Sequence, residues 1–198
     1  MKKLLLPVSA VAIVSVLVIA GVGVFSRPYA LHGSPIDPPS PAADFALNDQ
    51  DGHPFRLSDQ KGDVVLVFFG YTHCPDVCPT TLAQFKLTRD QLGSQADRVR
   101  FVFITVDPER DTPARMREFL DTLDPTIVGL SGSEADLTPV WHDYGVYRQK
   151  QPGGSAEDYS MDHSTQVYLV DTRGNLRLTY SQGFAAQDLA QDIRYLLQ

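Results

Sequence analysis

The run Val64 to Phe69 is unbroken by polar residues, rich in β-branched and aromatic side chains, and constrains the fold more than any other stretch. It predicts a strand buried on both faces of a mainly parallel sheet. The strand leads directly into Gly70-Tyr71-Thr72-His73-Cys74-Pro75-Asp76-Val77-Cys78-Pro79, which holds the only two cysteines in 198 residues. Pro79 suits a first helical position, and Leu82, Phe85, Leu87 and Leu92 supply an apolar face up to Gly93. Cys78 is therefore expected at about the N-cap. A following proline biases Cys74 and Cys78 toward extended geometry, so both thiols are expected in a tight loop capping a helix. Orphan N–H groups and the positive end of the helix dipole favour thiolate there, the form that binds metals and attacks disulfides.

Strand and helix signals then alternate. Phe45-Ala46-Leu47 and Pro54-Phe55-Arg56 flank the turn signal Asp51-Gly52 and predict a small hairpin. Val99 to Val106 repeats the buried-strand pattern. Thr112 and Pro113 read as N-cap and first helical residue, with Met116, Phe119 and Leu120 facing the core. A short strand is expected at 126–130, and a helix opened by Ser133 with Leu137, Val140 and Trp141 apolar. Residues 148–162 contain Gly153-Gly154 among polar residues and read as a loop. Strands at 166–171 and 176–180 around Arg173-Gly174-Asn175 form an antiparallel hairpin, and a last helix covers about 185–197. The order argues an α/β fold on the thioredoxin-like plan, with one domain over 43–198.

Ahead of that domain, Met1-Lys2-Lys3 precedes 22 residues without a charge, Leu4 to Phe25. As a helix they would span about 33 Å, enough for a hydrocarbon core of about 30 Å. Residues 1–25 are thus expected to be an N-terminal transmembrane anchor, longer than the apolar region of a cleaved signal. Lys2 and Lys3 hold the N-terminus in the cytoplasm and put the rest outside it, on the periplasmic side of the inner membrane in a bacterium. Residues 26–42 carry Pro28, Pro35, Pro38, Pro39 and Pro41 and read as a semi-extended tether that reaches roughly 50 Å at about 3.1 Å per residue. From residue 43 onward, 14 basic against 23 acidic residues leave a balance of −9. Nucleic acid is excluded as a partner, since neutralising phosphates demands a basic face.

Phe69-Gly70-Tyr71-Thr72-x-Cys74-Pro75-Asp76-Val77-Cys78-Pro79-Thr80-Thr81-Leu82 resembles the signature of the Sco/SenC family, thioredoxin-like, membrane-tethered copper chaperones for cytochrome c oxidase assembly. Val106-Asp107-Pro108-Glu109-Arg110-Asp111-Thr112-Pro113 resembles the family's second motif, and Asp162-His163-Ser164 its third. The motifs occur in family order, and with the intervening strands they cover about residues 43 to 198. The resemblance implies that Cys74, Cys78 and His163 hold copper, as Cu(I) and also as Cu(II). It further implies that Asp107 influences the site or the partner contact. The implied recipient is the copper-binding subunit of cytochrome c oxidase, and other copper chaperones or thiol reductants are further partners.

The cysteines themselves allow three readings. A structural disulfide would close too small a loop to constrain the unfolded chain. A thiol-disulfide pair suits a helix N-terminus, but its usual spacing has two intervening residues and here there are three. Soft metal ligands need a further donor. His163 provides it if the strand that follows lies beside the strand ending at Gly70. Two thiolates and an imidazole select Cu(I), whereas structural zinc wants a fourth protein ligand. His73 and Met161 lie near the site and are read as bystander and apolar anchor. His53 and His142 are read as solvated, Trp141 as core, and Asp76 as satisfying backbone N–H groups of the turn. The implied role is metallochaperone rather than enzyme. The alternative is a thiol-disulfide oxidoreductase that uses Cys74 and Cys78 as a redox pair to reduce the cysteines of the oxidase copper site.

Overall fold

The computed structural model of this chain describes residues 29–153 and 158–198. Its strands are β1 (Ser34–Pro41), β2 (Ala46–Asn48), β3 (Pro54–Arg56), β4 (Val64–Gly70), β5 (Val99–Thr105), β6 (Val128–Leu130), β7 (Arg148–Gln151), β8 (Ser160–His163), β9 (Val167–Val170) and β10 (Asn175–Tyr180). The α-helices are α1 (Val77–Leu92), α2 (Pro113–Leu123), α3 (Glu134–Asp143) and α4 (Ala186–Leu196). Six strands form one sheet in the order β1-β10-β9-β4-β5-β6.

The run that dominates the sequence sits in the middle of that sheet, and all seven residues of β4 are buried. It pairs parallel with β5 from Val64↔Val99 to Gly70↔Thr105, and antiparallel with β9 from Val65↔Val170 to Phe68↔Val167. A strand with neighbours on both sides and helices over the sheet has no polar face, which explains the absence of alternation. Phe68 stacks on Phe103 at 5.9 Å, and Phe69 meets Tyr168 edge to face at 5.9 Å. The expected caps are present: Thr112 accepts from the Arg115 N–H at 3.2 Å, and Ser133 and Asp136 close a capping box over α3. The hairpins β2–β3 and β9–β10 stand where the sequence places them.

Three expectations are corrected. The first is the tether. Ser34–Pro41 is not a free linker but the edge strand β1, paired antiparallel with β10 from Ser34↔Thr179 to Pro41↔Asn175. An edge strand needs only one row of backbone bonds, so its prolines are tolerated. The segment is also fastened at its start. Asp192 on α4, fully buried, accepts the N–H groups of His32 and Gly33, each at 2.9 Å, and the Tyr180 hydroxyl at 2.6 Å. The His32 ring lies 3.0 Å from the same carboxylate, whose hydrogen bond raises the His32 pKa.

The second correction concerns 148–162, where the expected loop contains β7 and β8, an antiparallel pair outside the main sheet running from Arg148↔His163 to Gln151↔Ser160. Both strands are mostly solvated, so no apolar alternation marks them. Third, α1 begins at Val77 with Asp76 as its N-cap, so Cys78 lies inside the first turn. Proline is admissible there because the first N–H groups of a helix have no intrahelical partner. The apolar run Leu4 to Phe25 lies outside the described residues. Among the described residues no helix is long and apolar enough to cross a membrane.

Candidate metal centre

Strand order brings the three predicted donors together. β4 ends at Gly70 and hands the chain to the cysteine turn. Antiparallel β9 starts at Val167, opposite Phe68, so the segment before it, with His163 at the end of β8, arrives at the same end of the sheet. Cys78 Sγ lies 3.7 Å from His163 Nε2, and one donor atom from each of Cys74, Cys78 and His163 falls within 4.8 Å of the others. Cys78 is fully buried and Cys74 partly exposed, so ligand exchange is open on one side. Both cysteines are free thiols.

The imidazole is held in one orientation. His163 Nδ1 donates to the Ser164 carbonyl at 2.8 Å, because a carbonyl can only accept, and Nε2 is left with its lone pair toward the sulfurs. Tyr71 and Phe68 hold the ring edge to face at 5.7 and 6.3 Å. The thiols are unequal. Hydrogen bonding from the Cys78 thiol, with further help from the backbone N–H groups of Cys78 and Asp76, holds the Cys74 pKa down to about 3 against the opposing effect of burial. The adjoining Cys74 sulfur and burial push Cys78 up. One thiolate and one thiol share a single proton, with the thiolate at the helix start. The Cys78 N–H points at Cys74 Sγ, 3.5 Å away, so the sulfur takes the place of an N-cap side chain. Asp76 was expected in that role, but its carboxylate makes no cap bond and reaches only the Thr80 hydroxyl at 3.4 Å.

Gly70 is required by this arrangement. A Cβ on it would stand 2.7 Å from Cys78 Sγ and 2.6 Å from the Phe103 ring. Gly70→Ala is expected to cost about 1–3 kcal/mol, as overpacking in a filled core does. Thermal unfolding checks this, and an unchanged midpoint would refute the contact.

Asp107 does not belong to the group of mutually close donors. It is buried, accepts from Arg110 Nε at 2.6 Å and from the Tyr159 hydroxyl at 2.7 Å, and so grips the chain entering β8. Arg110 completes the grip by donating to the Tyr159 carbonyl at 2.9 Å with its guanidinium 3.5 Å over the Tyr159 ring. Asp107 thus fastens the segment after β5 to the start of the hairpin strand that ends at His163. Sequence reasoning missed Asp111 as an individual site residue. Its buried carboxylate accepts from the Thr72 hydroxyl at 2.6 Å, the Thr105 hydroxyl at 2.7 Å and the Thr72 N–H at 3.1 Å, tying the cysteine turn to the end of β5. Burial pushes the Asp111 pKa up despite these bonds. A carboxylate inside a motif otherwise suited to opening a helix is the only sequence signal that could have found it.

The remaining candidates fall outside the donor group. His73 turns to Thr72 Oγ1 at 3.1 Å, and Met161 is buried in the core. Trp141 is core and donates to the Thr105 carbonyl at 3.0 Å. His142 is 86% exposed and His53 77%.

Residues 34–198 match the family model described as SCO1/SenC, and the chain belongs to the SCO1/SenC family. Over 153 residues it is 37% identical to Protein SCO2 homolog, mitochondrial, of Mus musculus, an alignment that covers 76% of this chain and 60% of that protein. The chain therefore spans about three fifths of that relative's length. Among solved structures it is similar to Bradyrhizobium japonicum ScoI with copper bound, at 40% identity and a TM-score of 0.74 over 79% of this chain and 99% of that one. It is also similar to apo Sco1 of Thermus thermophilus, at 36% identity and a TM-score of 0.76 over 86% and 99% of the two chains. The fold is thus the mixed α/β, thioredoxin-like fold of Sco proteins.

Proposed function

We propose that this chain is a membrane-tethered copper chaperone, with Cys74 and Cys78 as thiolates and His163 through Nε2 holding a copper ion. The ion is passed by ligand exchange to the binuclear copper site of cytochrome c oxidase. The observation that carries the reading is the convergence of two sulfurs and an oriented imidazole nitrogen within 4.8 Å. Two soft donors and one nitrogen suit copper, and similar Sco structures from Bradyrhizobium japonicum and yeast are described with copper bound. The apolar run Leu4 to Phe25 supports an N-terminal anchor, with the domain on the extracytoplasmic side.

Anaerobic titration of the reduced protein tests this. One copper per chain is expected, with release of the Cys78 proton, because Cys74 is already ionised at neutral pH and Cys78 is not. Affinity for Cu(I) therefore rises with pH through the neutral range. The oxidised protein should bind none, and stoichiometric copper on it would sink the two-thiolate site.

The same sulfurs support a second reading, a thiol-disulfide oxidoreductase acting on the oxidase's cysteines. Cys74 is a partly exposed thiolate beside the buried thiol of Cys78, the pairing of an attacking and a resolving sulfur. Asp107→Asn bears on the chaperone reading. It is expected to keep one copper per chain while impairing delivery by about 10- to 100-fold, the usual cost of disturbing a group that orients a ligand. Loss of the copper itself would make Asp107 a ligand.

A further inference from the structure

Cys74 and His163 line a groove of about 410 Å³ with Cys78 buried beside it, and the side chains on its rim do more than enclose them. Asp76 and Asp162 line it, and no lysine or arginine does. Both carboxylates are exposed and neither has a cationic partner among the described residues: Asp76 meets the Thr80 hydroxyl, and Asp162 accepts from the Gln151 amide at 2.7 Å. Between them the lining is apolar, with Pro75, Val77 and Tyr147. Tyr147 is 56% exposed, one of three large apolar side chains left so among the described residues. It is nevertheless held in place. Its N–H donates to Ser164 Oγ at 2.9 Å and its carbonyl accepts from the Ser164 N–H at 3.0 Å, anchoring its backbone to the residue that follows His163.

An aromatic ring whose backbone is anchored loses little entropy when covered, which makes it a good anchor for a partner. Two unpaired carboxylates beside it favour cations and repel anions. We infer that this groove docks a metal-accepting loop of a partner protein whose cysteine and histidine ligands are flanked by lysine or arginine. Tyr147 covers the loop's apolar part, and Asp76 and Asp162 meet its flanking cations. The inference rests on the copper-chaperone reading and names the partner chemistry of that site. Transfer needs no electron: each of two partner thiols binds copper as it gives up its proton, His163 and the two sulfurs leave in turn, and of the two protons released one returns to Cys78 and the other goes to solvent, Cys74 remaining a thiolate.

The test uses the full-length protein in detergent, loaded with Cu(I) under anaerobic conditions. It is mixed with a synthetic peptide of two cysteines and a histidine flanked by lysines, or with its twin flanked by glutamates. Peptide-bound copper is quantified at timed intervals after rapid gel filtration, and rates are expressed per copper initially bound. Transfer to the lysine peptide is expected to be about tenfold faster at low ionic strength, a modest degree of electrostatic steering. That preference should vanish at high salt and in the Asp76→Asn/Asp162→Asn double variant. Tyr147→Ala should slow transfer to both peptides severalfold. Equal rates for the two peptides, or wild-type rates in Tyr147→Ala, overturn the docking surface and leave copper binding standing. Failure of the wild-type protein to load copper overturns the chaperone reading itself and the docking surface with it.

Discussion

His163→Ala is expected to abolish Cu(II) binding, with at least about a 100-fold loss of affinity, while Cu(I) is retained by the two sulfurs. Removing a ligand costs more than disturbing a group behind one, whose loss already costs about 10- to 100-fold. Cu(I) is the softer ion and is satisfied by thiolates, whereas Cu(II) depends more on the nitrogen. The variant also divides the two functional readings. The first cause of the low Cys74 pKa is the hydrogen bond from Cys78, so the thiolate survives the substitution. Reduction of a model disulfide, which depends on thiolate fraction and access, should change little. Paired assays on one preparation decide the matter: Cu(II) binding by sulfur-to-copper absorption, and disulfide reduction by thiol release. Wild-type support of oxidase assembly by this variant in cells would remove copper delivery and leave the reductase. Loss of assembly with reduction intact would assign the work to copper.

A chain beginning at Ala43 is expected to be less stable than one beginning at Tyr29 by about 3–5 kcal/mol, the cost of removing the partners of a buried charge. The shorter chain lacks β1, exposes the edge of β10, and takes the His32 and Gly33 donors from the fully buried carboxylate of Asp192. The Tyr180 ring, against which Gly33 packs so closely that a Cβ would stand 2.7 Å from it, is uncovered as well. For a domain of this size each kcal/mol moves the midpoint by about 2–4 °C, so a fall of roughly 6–20 °C is anticipated. Thermal unfolding of the two chains at equal pH checks it. Equal midpoints would return 34–41 to the status of a tether.

Much of the central fold was legible because its causes are local. An apolar run such as Val64 to Phe69 has few places to go except the middle of a sheet. Thr112-Pro113 and Ser133 announce their helices through orphan N–H groups that only such residues satisfy. The cysteine turn could be placed to within two residues, and the miss at Cys78 came from the freedom a first helical turn leaves to proline. Segments 34–41 and 148–163 failed for a common reason. Their strands are exposed or lie at an edge, so burial imposes no period on them, and what holds them is remote in sequence: β10 and Asp192 for the first, and Asp107 and Arg110, which grip Tyr159, for the second.

The sequence by itself determined the chemistry available, namely two thiols at a helix start, a histidine before a strand, and no basic face. It also determined the central strands, since apolar pattern and capping are properties of neighbouring residues. Only the tertiary structure decided that His163 Nε2 stands 3.7 Å from Cys78 Sγ, because 85 residues separate them and the antiparallel pairing of β9 with β4 closes the gap. It likewise decided which sulfur carries the proton. The two cysteines differ little in sequence context, but one is buried beneath the other and donates to it, and that asymmetry exists only once the helix, the turn and the hairpin have met.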